Sequence, residues 1–363
     1  MKIVPKQQKI FFDFLRFCIG SVKEIPVSLK EADWKELYAI AKKQCLVGIL
    51  FDGIKKLPAE HVGMKKELLL LWMAESQMLK KANVRLNDAA IQVSEWFRKK
   101  GFRTCILKGQ GNALMYPNPY SRTPGDIDIW VEGGDKRVIS FVRSISSHEK
   151  ACYHHIEFPS YKGVEVEVHY RPSFLLCFWH NRKLQKYYER VKEEQFSHRV
   201  MLGEQGEIAI PTAEFNLIFQ LTHIYAHLMN EGIGLRQLLD YYYVLLHADI
   251  KNLAELQRNL KHFGLWKFAG AIMYIMQEVF GMPASRLIVP PNEKYGKFVL
   301  NEVLKAGNFG KHDERNCFGR SKLGHNLQRV YRDIRLMKYF PAEALCEPVF
   351  RTWHLFWRMW NKK

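Results

Sequence analysis

Two aspartates, Asp126 and Asp128, stand two residues apart in the run Asp126-Ile-Asp128-Ile-Trp-Val131, directly after Thr123-Pro124-Gly125. In a strand successive side chains alternate between faces, so the two carboxylates share one face while Ile127 and Ile129 take the other. Like charges that close repel unless a cation lies between them. All-oxygen ligation of this kind suits Mg²⁺ or Mn²⁺, ions commonly used to grip substrate phosphates. A solvated strand edge or turn is the plain alternative. It accounts poorly for acids set inside an Ile/Trp/Val run, and the Pro-Gly step confines the backbone just ahead of them.

A second stretch, Val164-Glu-Val-Glu167-Val-His169, puts Glu165, Glu167 and His169 on one face against three valines. An amphipathic edge strand would explain that alternation alone, yet a third carboxylate is what a two-metal phosphoryl-transfer site still lacks. On that reading Asp126 and Asp128 clamp metal that holds the β- and γ-phosphates of a nucleoside triphosphate. Glu167 then completes the second metal site and lowers the pKa of an attacking hydroxyl. In Leu107-Lys108-Gly109, the glycine would let the backbone approach phosphate at a helix N-terminus, and Lys108 adds a point charge.

The elements that must position these residues follow from periodicity. Residues 7–100 read as helical: Gln7 to Cys18, Glu31 to Cys45 started by a Ser28-x-x-Glu31 capping box, and a long pattern from Met64 to Lys99 stopped by Gly101. A small α/β unit follows, with strands over Phe102–Leu107, Asp126–Val131 and Val164–His169. Helices are expected over Gly109–Met115 and Asp135–Ser146. Residues 180–199 are helical or loop-like, and Gly203 to Pro211 reads as a hairpin. Helices then dominate: Phe215–Met229, Leu235–His247, Leu253–Phe263, Trp266–Phe280 and Tyr295–Ala306. The expected class is α+β, with a helical cap over 1–100, a catalytic α/β domain over 101–211 and a helical C-terminal domain over 212–363.

Composition bounds the function. The 363 residues carry a net charge of +18, and 47% of them are hydrophobic, so the chain is globular and suited to a polyanionic partner. The excess is marked over residues 311–363, which hold 12 Lys/Arg against 5 Asp/Glu. Cys18, Cys45, Cys105, Cys152, Cys177, Cys317 and Cys346 are scattered, with no Cys-x-x-Cys pair. Neither a disulfide framework nor a zinc site is indicated, and a reducing cytoplasm fits. No run of about 18 uncharged apolar residues occurs, so no integral membrane association is expected.

The Leu-Lys-Gly run, Tyr116-Pro-Asn-Pro, Arg122 with Asp126-Ile-Asp128, and Glu167-Val-His169-Tyr-Arg171 together resemble the uncharacterised bacterial nucleotidyltransferase family of the polymerase-β-like superfamily. The stretches His223–His227, Gly234-Leu-Arg236-Gln-Leu-Leu-Asp240 and Tyr339-Phe-Pro341-Ala-Glu343 to Trp353 extend the likeness over nearly the whole chain. The resemblance implies a minimal nucleotidyltransferase core with a mixed sheet, Mg²⁺ (or Mn²⁺), an NTP donor, and Asp126, Asp128 and Glu167 as catalytic metal ligands. Lys108, Gly109, Arg122 and Gly125 become the nucleotide- and phosphate-binding candidates. The wider superfamily usually has Gly-Ser at the start of the helix after the first strand. This chain has Lys108-Gly109-Gln110, which leaves the triphosphate grip to Lys108.

Further cleft contacts are His169, His223, His227, Arg236 and Asp240. His223 and His227 lie one helical turn apart with no third ligand in pattern, so a polar or phosphate-contacting face is expected rather than zinc. Arg236 and Asp240, also one turn apart, are expected to pair. The aromatic stripe Phe350–Trp360 is expected to dock on the body of the protein, and Tyr241-Tyr242-Tyr243 to pack. Two other readings compete with transfer to an acceptor of unknown identity. One is a catalytically silent module that binds nucleic acid or an acidic partner through its basic surface. The other is an Asp-x-Asp glycosyltransferase, which the helical first 100 residues disfavour because that reading needs an α/β nucleotide-binding region upstream.

Overall fold

The helical spacing of the first hundred residues yields α1 (Pro5–Ile19), α2 (Trp34–Lys43), α3 (Val47–Ile54) and α4 (Lys66–Lys99) in a computed structural model that describes residues 5–204, 206–315 and 321–361. Asp33 starts α2, its carboxylate accepting from the amides of Lys35 and Glu36. The expected Ser28–Glu31 box is therefore not the cap. Val27–Glu31 form a 3₁₀ turn, and the Ser28 hydroxyl is drawn to Asp13 instead. Helix α4 runs unbroken for 34 residues, because its sequence contains neither proline nor glycine to interrupt it. Gly101, at φ +80°, ends it.

The α/β unit comprises β1 (Thr104–Ile106), α5 (Gln110–Ala113), β2 (Ile127–Val131), α6 (Gly134–Ile145), β3 (His155–Tyr161) and β4 (Val164–His169). Strand order is β1-β2-β4-β3, with β2 and β4 parallel and both outer pairs antiparallel, so the sheet is mixed and the class is α+β. Strand β3 is absent from the periodicity reading. Pro159 and an irregular register between Phe158 and Tyr161 disguise it, and an edge strand tolerates both. Lys162 and Gly163, at φ +52° and +77°, close the hairpin into β4. The helix expected after β1 is only one turn long, so no macrodipole backs Gly109.

Helix α7 (Phe178–Ser197) leads to a two-stranded ribbon, β5 (Arg199–Met201) and β6 (Glu207–Ala209), which places the expected hairpin slightly earlier than its Gly203 start. Among the described residues seven α-helices follow: α8 (Ala213–Asn230), α9 (Leu235–His247), α10 (Leu253–His262), α11 (Trp266–Phe280), α12 (Glu293–Ala306), α13 (Lys322–Met337) and α14 (Pro341–Trp360). Among the described residues no helix is long and apolar enough to cross a membrane.

The sheet divides two apolar bodies. Ile106, Ile127, Ile129, Ile156, Val166 and Val168 pack beneath α6 and the second half of α4, where Phe97 is fully buried. Cys105 and Trp130, on the opposite face, join a larger core that unites α1–α3 with α8, α9 and α11. Tyr241, Tyr242 and Tyr243 are buried there as packing residues. Helix α14 docks through Phe350, whose ring stacks on Phe174 at 5.2 Å, while Phe356, Met359 and Trp360 stay exposed. The polar groups of the sheet's second face are left in the gap between strand ends and α8.

Candidate active site

Parallel pairing of β2 with β4 sets Asp128 opposite Glu167 and Trp130 opposite His169. Asp126 lies one residue ahead of β2, in the loop after Gly125. The side chain of Asn83 on α4 holds that loop by donating to the carbonyls of Leu79, Tyr120 and Arg122. Carboxylate oxygens of Asp126, Asp128 and Glu167 come within 4.8 Å of one another. The isoleucine and valine face of the same strands is buried, which fixes which way the acids point.

Two cations flank this triad. The Lys108 ammonium and His169 Nε2 each lie 3.0 Å from Asp128 Oδ1, and His169 Nε2 also reaches Glu167 Oε2 at 3.3 Å. Burial works against the charge on Asp128, but Lys108 and the His169 hydrogen bond hold its carboxyl below the usual carboxylate range. For Glu167 burial is likewise overcome, by the His169 hydrogen bond and the charges of His155 and His169, which bring it to about 2. His169, despite burial, is raised to about 9 by its hydrogen bonds to Asp128 and Glu167. At neutral pH Asp128 and Glu167 are ionised and His169 is an imidazolium.

Lys108 donates to His223 Nε2 at 3.1 Å, and His227 Nε2 lies 3.0 Å from the same nitrogen. Burial, and then the charge of Lys108, hold His223 well below its ordinary pKa, so it is a neutral acceptor. Among the described residues neither His223 nor His227 belongs to a group of convergent metal-ligand atoms. The paired histidines orient Lys108 from α8. Gly109, at φ +60°, makes the turn that brings Lys108 over the carboxylates, a conformation favouring glycine.

The expected Arg236–Asp240 pair does not form, and Arg122, the phosphate-binding candidate, takes its place. Arg122 Nε and Nη2 bind the two oxygens of Asp240 at 2.7 and 2.8 Å, and Tyr116 donates to Asp240 at 2.7 Å. This bidentate geometry outcompetes an intrahelical partner. Arg236 is left to donate to the Thr123 carbonyl at 3.2 Å, with Gly125 beside it. Arg122, Asp240 and Arg236 thus brace the loop that ends in Asp126, and they border a small pocket of about 30 Å³ behind the triad.

The front opens into a cavity of about 700 Å³ whose floor carries Lys108, Asp126, Glu167 and His169, and whose rim carries Lys311, Arg329 and Arg351. Sequence reasoning missed these rim residues, because α13 and α14 return to the site only through the tertiary fold. It also missed Cys152, His154 and His155 on the cavity wall. For His155 the one available signal was the alternation of His155 and Glu157, masked by Pro159.

An acid triad at the ends of parallel strands, with a lysine above it and a basic-rimmed cavity in front, offers oxygen donors that could hold a hard cation. The chain belongs to a family of uncharacterised nucleotidyltransferases, whose model matches residues 30–281, over half its length. A crystal structure of an antigenic nucleotidyltransferase-like protein from Paracoccidioides brasiliensis is similar at 13% identity and a TM-score of 0.33, covering 60% of this chain and 95% of that one. No curated protein matches the sequence.

Proposed function

We propose that the protein is a metal-dependent nucleotidyltransferase of the polymerase-β-like kind, moving a nucleoside monophosphate from an NTP to an acceptor hydroxyl or phosphate and releasing pyrophosphate in the cytoplasm. The observation that carries this reading is the convergence of Asp126, Asp128 and Glu167 within 4.8 Å, with Asp126 and Glu167 on the floor of a basic-rimmed cavity. Three carboxylates are hard oxygen donors, and this set fits Mg²⁺ or Mn²⁺. An ion held there would supply charge neutralisation for the triphosphate and the departing pyrophosphate.

The chain's own residues do the rest. Lys311, Arg329 and Arg351 attract the triphosphate to the cavity mouth. Lys108, kept charged by Asp128, Asp126 and Glu167 against its own burial, places an ammonium at the inner end. His223 fixes that ammonium's direction. His169 orients both Asp128 and Glu167, so the two strands present their acids in one register. Glu167, ionised down to about pH 2, serves as a ligand and is too weak a base to hold the acceptor's proton.

Replacing Asp126 and Asp128 with asparagine is expected to lower Mg²⁺-dependent NTP turnover by about a thousand-fold or more, with the circular dichroism spectrum unchanged. Pyrophosphate release assayed over a panel of NTPs and acceptors reads this directly. Full turnover in the doubly substituted protein would end the assignment.

A further inference from the structure

The wall of the same cavity holds a second set of donors, softer than the acid triad. Cys152, Tyr153, His154 and His155 form a tight turn closed by the Cys152 amide donating to the His155 carbonyl at 2.9 Å. Cys152 Sγ lies 3.5 Å from His154 Nδ1, and His154 Nε2 lies 3.0 Å from His155 Nδ1. Ligand atoms of the three come within 4.8 Å of one another. His155 Nδ1 is in turn 3.4 Å from Glu167 Oε2.

Hydrogen bonding alone serves this cluster badly. His155 Nδ1 faces both a carboxylate oxygen and a second imidazole nitrogen, and a ring nitrogen offers one proton or one lone pair, never both. If His155 Nδ1 donates to Glu167, its contact with His154 has to share that same proton. If it accepts from His154, it points a lone pair at the carboxylate. Lone pairs converging from sulfur, nitrogen and oxygen are what a borderline-soft divalent cation satisfies. A tetrahedral zinc centre with bonds of about 2.3 Å to sulfur and about 2.0–2.1 Å to nitrogen separates its ligand atoms by roughly 3.3–3.6 Å. The Cys152 sulfur and one nitrogen from each imidazole already lie within 4.8 Å of one another, so the three donors reach that range by closing inward on the ion.

We infer that Cys152, His154 and His155 form a zinc site on the cavity wall, beside the acid triad. The cation takes the thiolate of Cys152, whose proton leaves to solvent, and one neutral nitrogen from each imidazole. The site is chemically distinct from the acid triad: thiolate and imidazole select zinc where carboxylates select magnesium. It stands on its own residues, whether or not nucleotidyl transfer occurs. The Cys-x-His-His spacing has no Cys-x-x-Cys signature, which is why the cysteine count did not reveal it.

The test uses the full-length protein stripped with a chelator and re-equilibrated with Zn²⁺ or Co²⁺. One zinc per chain should survive gel filtration, measured by elemental analysis, and the Co²⁺ form should show thiolate-to-metal charge-transfer absorption. Cys152→Ser should lower zinc affinity about 100-fold and remove that absorption, while Asp126→Asn, which disables the acid triad, should retain both. Zinc should also slow alkylation of Cys152 in the unsubstituted protein at least ten-fold, a readout that needs no variant to fold. Absence of tightly held zinc, or a charge-transfer band that persists in Cys152→Ser, would overturn the site.

Discussion

Asp128 and Asp240 are both buried, both ionised and both held by cations, yet they sit in opposite kinds of surroundings. Asp240 meets a guanidinium through two parallel hydrogen bonds and a tyrosine hydroxyl through a third. Its charge is matched by one fixed partner. Asp128 receives Lys108 and His169 on a single oxygen and stands beside two further carboxylates, Asp126 and Glu167, which line the large cavity. Its neighbourhood is crowded with negative charge. A buried charge with a saturated partner braces the fold; a buried charge held among its own kind is one that a bound cation would relieve.

That contrast can be broken most decisively by removing each acid. Asp240→Ala strands the Arg122 guanidinium at 3% exposure and is expected to cost about 3–5 kcal/mol in a urea unfolding series. Asp128→Asn, beside other carboxylates that still face Lys108 and His169, is expected to cost under about 1 kcal/mol. Equal losses would erase the distinction. Magnesium sharpens it next. At about 100 times its dissociation constant the ion should stabilise the parent protein by about 2.7 kcal/mol in thermal melts, and the doubly substituted Asp126→Asn/Asp128→Asn protein not at all.

A third buried acid extends the comparison to one with a like-charged neighbour. Asp333 on α13 is raised to about 7, first by burial and then by the charge and hydrogen bond of Glu347 on α14. The folded chain therefore binds a proton more tightly than the unfolded chain does. Stability from this group is full below about pH 4 and is lost as pH rises through 7. Asp333→Asn should flatten that slope and raise stability at pH 8 by about 2 kcal/mol, after allowance for partial solvent screening. A pH series of melting temperatures for the two proteins decides it. The last substitution concerns the Lys108 turn. Gly109→Ala keeps ordinary contact with the Asp126 carbonyl but must adopt a φ of +60°, so it should cost about 1–2 kcal/mol.

Much of the fold was readable from the chain because single rules governed it. The alternation of Val164–His169 gave β4 its full extent, and the helical spacing of Leu235–His247 and Trp266–Phe280 gave α9 and α11. The shared face of Asp126, Asp128 and Glu167 followed from the period of a strand. What was not readable depended on competition between partners. Arg236 and Asp240 satisfied the helical pairing rule, but Arg122, from 118 residues away, offers two hydrogen bonds and takes the acid. Ser28 and Glu31 satisfied the capping pattern, but Asp33 presents a carboxylate to two amides. Strand β3, with its proline and irregular register, had no clean period to read. Cys317 lies outside the described residues.

Asp128 and Glu167 face each other across a ladder of main-chain hydrogen bonds between parallel strands. Strands running the same way cannot be joined by a tight turn, so 32 residues, 132–163, detour between them. The distance between the two acids is thereby set by peptide groups, indifferent to which side chains the detour carries. That detour contains the Cys152–His155 turn. Lengthening, shortening or rewriting it leaves the acid pair in step, so the segment can diversify what meets the site while the floor of the site stays constant.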